Sequence, residues 1–163
     1  MSLLIVRLPK NRWNLGTLEM QDKSGSVVFG PVSCCGRADN SGAGAHGNPT
    51  RDSTKPYGDT PLGVYQVVGL SPVDQHDEHE VRQYGRQEKI VLDPISGDAL
   101  KSKRNGRYGL LIHGGALSDN GQLRPTYGCI RLGDEDMWGL LVQYRRVRDS
   151  GDSADKLLVK LSN

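Results

Sequence analysis

Two short glycine-flanked segments, His113-Gly114-Gly115 and Thr126-Tyr127-Gly128-Cys129-Ile130-Arg131, hold the residue types that could do chemistry here. A free thiol titrates near about 8.5, so at neutral pH it is a few per cent thiolate and needs a base to become a strong nucleophile. His113 ends an apolar run, Leu110-Leu111-Ile112, that stops abruptly in two glycines, and Cys129 sits in a second tight turn. One turn bearing a base and another bearing a thiol are what a Cys-His acyl-transfer site requires. Taken singly, each has a plain alternative: a histidine at a strand end is commonly a satisfied structural residue, and a lone cysteine a small core hydrophobe. The two turns lie close in the chain, with Thr126, Gly128 and Arg131 around the cysteine.

That pattern resembles the signature of the L,D-transpeptidases (the YkuD-type catalytic domain). The signature is a histidine, an intervening stretch, then Ser/Thr-His-Gly-Cys and an apolar residue. Upstream, Gly58-Asp59-Thr60-Pro61-Leu62-Gly63-Val64-Tyr65 resembles the Thr-Pro-x-Gly-x-Tyr/Phe segment that opens a strand in these domains. The likeness runs over residues 59–141. In one place the chain departs from it: Tyr127 stands where the second histidine is usual. A phenol donates a hydrogen bond but is no base near neutral pH.

The resemblance implies a YkuD-like β-sandwich and a cysteine-dependent acyl transfer on peptidoglycan stem peptides. Either L,D-transpeptidation or L,D-carboxypeptidation would follow, the first with an amine as acceptor and the second with water. It implies Cys129 as nucleophile, His113 as base and the Gly114 carbonyl as the group that orients the imidazole. Backbone N–H groups of Tyr127, Gly128 and Cys129 would form the oxyanion hole, where a glycine permits close approach. Thr126, Tyr127 and Arg131 would contact substrate, Arg131 through a carboxylate. Arg131 could instead tie a loop carboxylate, Asp134 or Asp136, to the turn. A working pair is expected to leave Cys129 open to alkylation near neutral pH and slowed by His113→Ala. The alternatives are a decayed wall-binding module, marked by Tyr127, and a secreted antibacterial effector using the same chemistry.

The elements that must position these residues read as mainly β, a β-rich α+β domain. With 163 residues, 36% of them hydrophobic and 25% charged, the chain has the composition of one globular domain, taken as 1–163. Strands are expected at 3–8, 15–20, 26–32, 64–68, 89–92, 109–113 and 156–161, with a hairpin turn at Asp22-Lys23-Ser24-Gly25. Residues 36–61 read as a long polar loop, either a wall of the substrate groove or a surface insertion. The one expected helix starts at Asp134, after the cysteine turn, where Met137, Leu140, Leu141, Tyr144 and Val147 recur at helical spacing. Acidic residues in its first turn and Arg145, Arg146 and Arg148 in its last suit the helix dipole.

Other features weigh less. A net charge of +2 is too small to point to nucleic acid. The basic run 101–107 reads as a solvated loop, with an anionic glycan strand as the alternative partner. His76-Asp77-Glu78-His79 reads as an acidic surface loop rather than a zinc site. His46 has no visible partner, and Trp13 and Trp138 read as core or groove-wall residues. Cys34 and Cys35 are adjacent and read as structural thiols. No phosphate loop, dinucleotide fingerprint or strong metal spacing appears, so neither cofactor nor metal is expected. No integral membrane segment is expected either, and the chain does not disclose its oligomeric state. The apolar residues 3–6 are cut short by Arg7 and Pro9, so no secretory leader is visible. Action in the periplasm or cell wall would then need a leader already removed or export without one.

Overall fold

Alternating apolar residues in the first and last strands set the architecture. In β1 (Leu3–Leu8) the side chains of Leu4, Val6 and Leu8 are buried, and in β8 (Lys156–Leu161) those of Leu157 and Val159. The two strands lie parallel, Leu4 beside Leu157 and Val6 beside Val159, so their inward residues form one apolar layer. The computed structural model describes all of Met1–Asn163. Its other strands are β2 (Gly16–Gln21), β3 (Val27–Cys34), β4 (Gly63–Ser71), β5 (Lys89–Pro94), β6 (Leu111–His113) and β7 (Ile130–Arg131).

All eight belong to one mixed sheet in the order β3-β2-β1-β8-β4-β5-β6-β7. Its two edges then meet. The Cys35 and Arg131 backbones exchange hydrogen bonds of 2.9 and 3.0 Å, which joins the end of β3 to β7 and curls the sheet almost into a barrel. The expected mainly β class therefore holds, with one curled sheet as the form it takes. The hairpin turn is also as expected: Asp22 N–H donates to the Ser26 carbonyl, and the Asp22 carboxylate accepts from the backbone of Ser24 and Ser26.

Four helices decorate the sheet: α1 (Asn40–Ala45), α2 (Glu78–Tyr84), α3 (Gly97–Arg104) and α4 (Asp134–Asp149). The long one, α4, is the helix the apolar spacing predicts. It buries Met137, Leu140, Leu141 and Val147 and packs on β3, with Gly139 against the Phe29 ring. The short ones correct the sequence reading. The acidic loop at 76–79 is the start of α2, capped by Asp77, whose carboxylate accepts from the N–H groups of His79 and Glu80. The basic run is mostly helical, as α3, and its last residue, Arg107, is buried. Residues 36–61 contain α1. Trp13 and Trp138 are both 58% exposed and so lie outside the core; Arg37 covers the Trp13 ring at 3.9 Å. Cys34 and Cys35 are buried free thiols. No helix is long and apolar enough to cross a membrane.

Candidate active site

The parallel pair β6–β7 is only a few residues long, yet it fixes both halves of the candidate site. His113 is the last residue of β6 and lies beside Arg131, while Cys129 immediately precedes β7. Both residues line a cleft of about 690 Å³. The sheet ends here because Gly114 and Gly115 turn the chain. A Cβ on Gly114 would strike the Asp134 carboxylate, which accepts the Gly115 N–H at 3.0 Å and so anchors the turn to the start of α4.

The imidazole of His113 is buried. Its Nδ1 lies 2.6 Å from the Gly114 carbonyl oxygen. A carbonyl can only accept, so Nδ1 carries the proton and Nε2 holds the free lone pair. The Tyr84 ring packs edge-on against the imidazole, with 5.0 Å between centroids. Burial pulls the His113 pKa down to about 4, against the pull of the Gly114 hydrogen bond and aided by the charges of Arg131, Lys89 and Arg124. The ring is therefore a neutral base at physiological pH.

Cys129 is partly exposed to the cleft, but packing around its sulfur pushes the thiol pKa up. The Leu111 N–H and the charges of Arg107, Arg131 and Lys89 pull it back. In the resting site the thiol and imidazole are thus both neutral. No preformed thiolate–imidazolium pair is favoured.

Side chains hold every carbonyl of the cysteine turn. Arg107 Nη2 donates to Tyr127 O at 3.2 Å, Thr60 Oγ1 to Gly128 O at 2.7 Å, and Thr126 Oγ1 to Cys129 O at 2.9 Å. The Thr126 hydroxyl also accepts the Gly128 N–H at 2.8 Å. The N–H groups of Tyr127 and Cys129 are therefore the turn amides left without an acceptor in the protein. Gly128 has φ of 110°, a left-handed conformation, and a Cβ there would strike the Arg107 guanidinium and crowd Gly58 O.

Arg131 is 2% exposed, and its donors turn inward. Nε meets Gly114 O at 3.2 Å, Nη1 meets Arg124 O and Pro125 O at 3.2 and 3.3 Å, and Nη2 meets Gln83 O at 2.6 Å. It therefore ties carbonyls together, and the carbonyl that receives His113 is one of them. Arg107, which the sequence reading missed as a site residue, does the same on the opposite side. It donates to Ser53 O, Lys55 O, Gly58 O and Asp59 O besides Tyr127 O, pinning residues 53–59 to the cysteine turn. Nothing in the basic run 101–107 distinguishes its buried arginine from its solvated lysines. Thr60 was legible as part of the Thr-Pro motif, but its bond to Gly128 was not.

Tyr127 is 48% exposed and packs edge-on against Tyr57, with ring centroids 5.5 Å apart. Tyr57, at φ of 66°, stacks in turn on His46 at 3.8 Å, which gives that histidine a partner the sequence did not reveal. The Tyr127 ring also lies over Gly42, where a Cβ would collide with it.

A base, a thiol and unpartnered amides thus meet in one cleft, in the order along the chain that the motifs lead one to expect. No individual curated protein sequence matches the chain. Comparison with protein families matches residues 4–146 to the L,D-transpeptidase catalytic domain (YkuD), a family of peptidoglycan chemistry. With most of its length matched, the chain belongs to the YkuD family of L,D-transpeptidase catalytic domains.

Proposed function

We propose that this chain is a cysteine acyltransferase acting on peptidoglycan stem peptides, with Cys129 as nucleophile and His113 as base. The observation that carries this reading is the 2.6 Å contact from His113 Nδ1 to Gly114 O. It fixes the tautomer whose Nε2 can take a proton, in a ring that lines the same cleft as Cys129. As the sulfur attacks the carbonyl carbon of the scissile amide, the thiol proton passes to Nε2. The tetrahedral oxyanion is received by the free N–H groups of Cys129 and Tyr127. The C–N bond then breaks, the imidazolium returns its proton to the leaving amine, and a thioester remains on Cys129. An amine acceptor resolves it to a cross-link, and water to a trimmed peptide.

Because both groups rest neutral, proton transfer accompanies attack rather than preceding it. Arg107 and Arg131 stabilise negative charge on sulfur as it develops, since both lower the thiol pKa against the effect of burial. Arg131 and Thr126 act on substrate through the turns they hold. Tyr127 supplies an aromatic cleft wall where a second histidine is usual.

The test is mass spectrometry of tetrapeptide muropeptides incubated with the protein and with Cys129→Ala. Loss of the terminal D-alanine or new cross-linked dimers, both absent with the variant, is expected. Unchanged muropeptides beside a folded protein that sediments with sacculi would replace the enzyme with a wall-binding module.

A further inference from the structure

Four arginines line the cleft, and they differ in what their donors do. Arg107 and Arg131 spend theirs on backbone carbonyls of the fold. Arg124 uses two of its five: Nε donates to Ala116 O and Nη2 to Arg82 O, each at 2.7 Å, and Nη1 has no protein acceptor. Arg82 is exposed on α2, and its guanidinium bonds nothing in the protein.

The Arg124 side chain is held against the backbone of Arg82 by the way α2 ends. The last-turn carbonyls of a helix lack intrahelical partners. In α2 the Arg82 carbonyl is taken by Ala116 N–H and Arg124, and the Gln83 carbonyl by Arg131. The helix is thereby docked with His79, Arg82 and Gln83 on the cleft, positions that share one helical face. No carboxylate compensates the charge. Neither Arg82 nor Arg124 forms an ion pair, and Glu80 on the same helix turns to Lys89 at 3.7 Å. The one acidic residue lining the cleft, Asp39, caps α1 through Gly42 N–H at 2.8 Å. Arg124 feels burial first and then the like charge of Arg82, both of which lower its pKa, and no acid raises it.

We infer that Arg82 and Arg124 form an anion subsite on the α2 wall of the cleft, built to take a carboxylate of the peptide substrate. A guanidinium fork matches a carboxylate bidentately, and a second fork beside it makes the site attractive to anions and repellent to amines. The peptide identity rests on the acyltransferase reading, but the anion preference does not.

The test uses Cys129→Ala labelled with 15N at arginine, titrated with N-acetyl-D-alanine and separately with N-acetyl-D-alaninamide. The acid is expected to shift the Nε–Hε signals of Arg82 and Arg124, and the amide is expected to leave them in place. Arg82→Gln, an exposed change that spares the core, should weaken acid binding about tenfold, or about 1.4 kcal/mol, and raise the muropeptide KM more than it lowers kcat. Arg82→Lys should restore part of the loss. Equal responses to acid and amide, or an unchanged affinity in both Arg82→Gln and Arg124→Gln, would overturn the subsite. Inert muropeptides with the acid-specific shifts intact would remove the acyltransferase reading and leave the subsite standing.

Discussion

Around β1, β2 and β8 the inward side chains are aliphatic, among them Leu4, Val6, Leu8, Leu18, Leu157 and Val159. Around β6 and β7 the buried groups include Thr60, Arg107, His113 and Arg131. The first region is held by apolar area removed from water, so a truncation there costs a cavity but no directed contact. The second is held by side-chain donors aimed at loop carbonyls, an arrangement in which each acceptor left unmade is costly. The strands themselves differ accordingly. β1 pairs along its whole length with β8 and over Leu3–Arg7 with β2, whereas β6 and β7 pair through two positions. Long loops thus meet at the site with little ladder to fix them, and two buried guanidiniums supply the missing constraint. Their charge also serves the thiol, so structure and electrostatics share the same residues.

Arg107→Met against Leu4→Ala breaks the comparison most directly. Methionine fills similar space but offers no donor to the five carbonyls that Arg107 serves. The expected loss is about 3–5 kcal/mol in urea unfolding, together with at least a tenfold fall in muropeptide turnover at temperatures where the variant is folded. Leu4→Ala should cost a comparable 3 kcal/mol or so by leaving a cavity, yet leave turnover of the folded protein unchanged. If both variants lost turnover equally, Arg107 would be no more than another core residue.

The same contrast explains what could be read from the chain. Aliphatic alternation announces β1 and β8, and the recurrence of Met137, Leu140, Leu141 and Val147 announces α4, because burial imprints a period on the sequence. Donor-to-carbonyl bonds imprint none. Arg107 is silent in a basic run because the carbonyls it serves come from residues 53–59 and 127, and any residue type supplies a carbonyl. Helix α2 escaped for a related reason: it buries no residue and so carries no apolar stripe, although Asp77 followed by Glu78 and Glu80 is a legible N-terminal signal. The closure of the sheet at Cys35–Arg131 is a pairing of two backbones, which leaves no mark in residue type. His113 and Cys129 were legible because they fall on a family motif, and the acyl-transfer chemistry proposed for them admits few residue types.

The buried His113 gives the site region a pH signature that the aliphatic region lacks. Its pKa in the folded protein is about 4, below the unfolded value of about 6.5, so between these values the unfolded chain binds more protons. Stability is therefore full above pH 6.5 and falls as the pH drops toward 4, by about 3 kcal/mol from this residue. Urea midpoints measured at pH 7 and pH 4.5 should converge in His113→Gln relative to the parent protein. Turnover should keep its acid limb near 4, while alkylation of Cys129, which needs the thiolate, should climb into the alkaline range. This corrects the near-neutral alkylation expected from the sequence, because packing around the sulfur pushes the thiol up. An acid limb near 6.5 would mean that the imidazole is solvated in the working enzyme.

Thr126→Val probes the smallest piece of the carbonyl-clamped region. Valine keeps the branched shape but loses the hydroxyl, which accepts Gly128 N–H and donates to Cys129 O. Each such bond contributes about 1 kcal/mol net, and the turn keeps its clamps from Thr60 and Arg107 at the neighbouring carbonyls. With two bonds lost, stability should fall by about 2 kcal/mol. Turnover should fall about five- to tenfold in kcat, because a freed Gly128 N–H and an unheld Cys129 carbonyl let the amides proposed to receive the oxyanion drift from their aim. A kcat change no larger than twofold would mean that Thr60 and Arg107 alone set the turn, which would narrow the clamp to the two side chains that reach it from other loops.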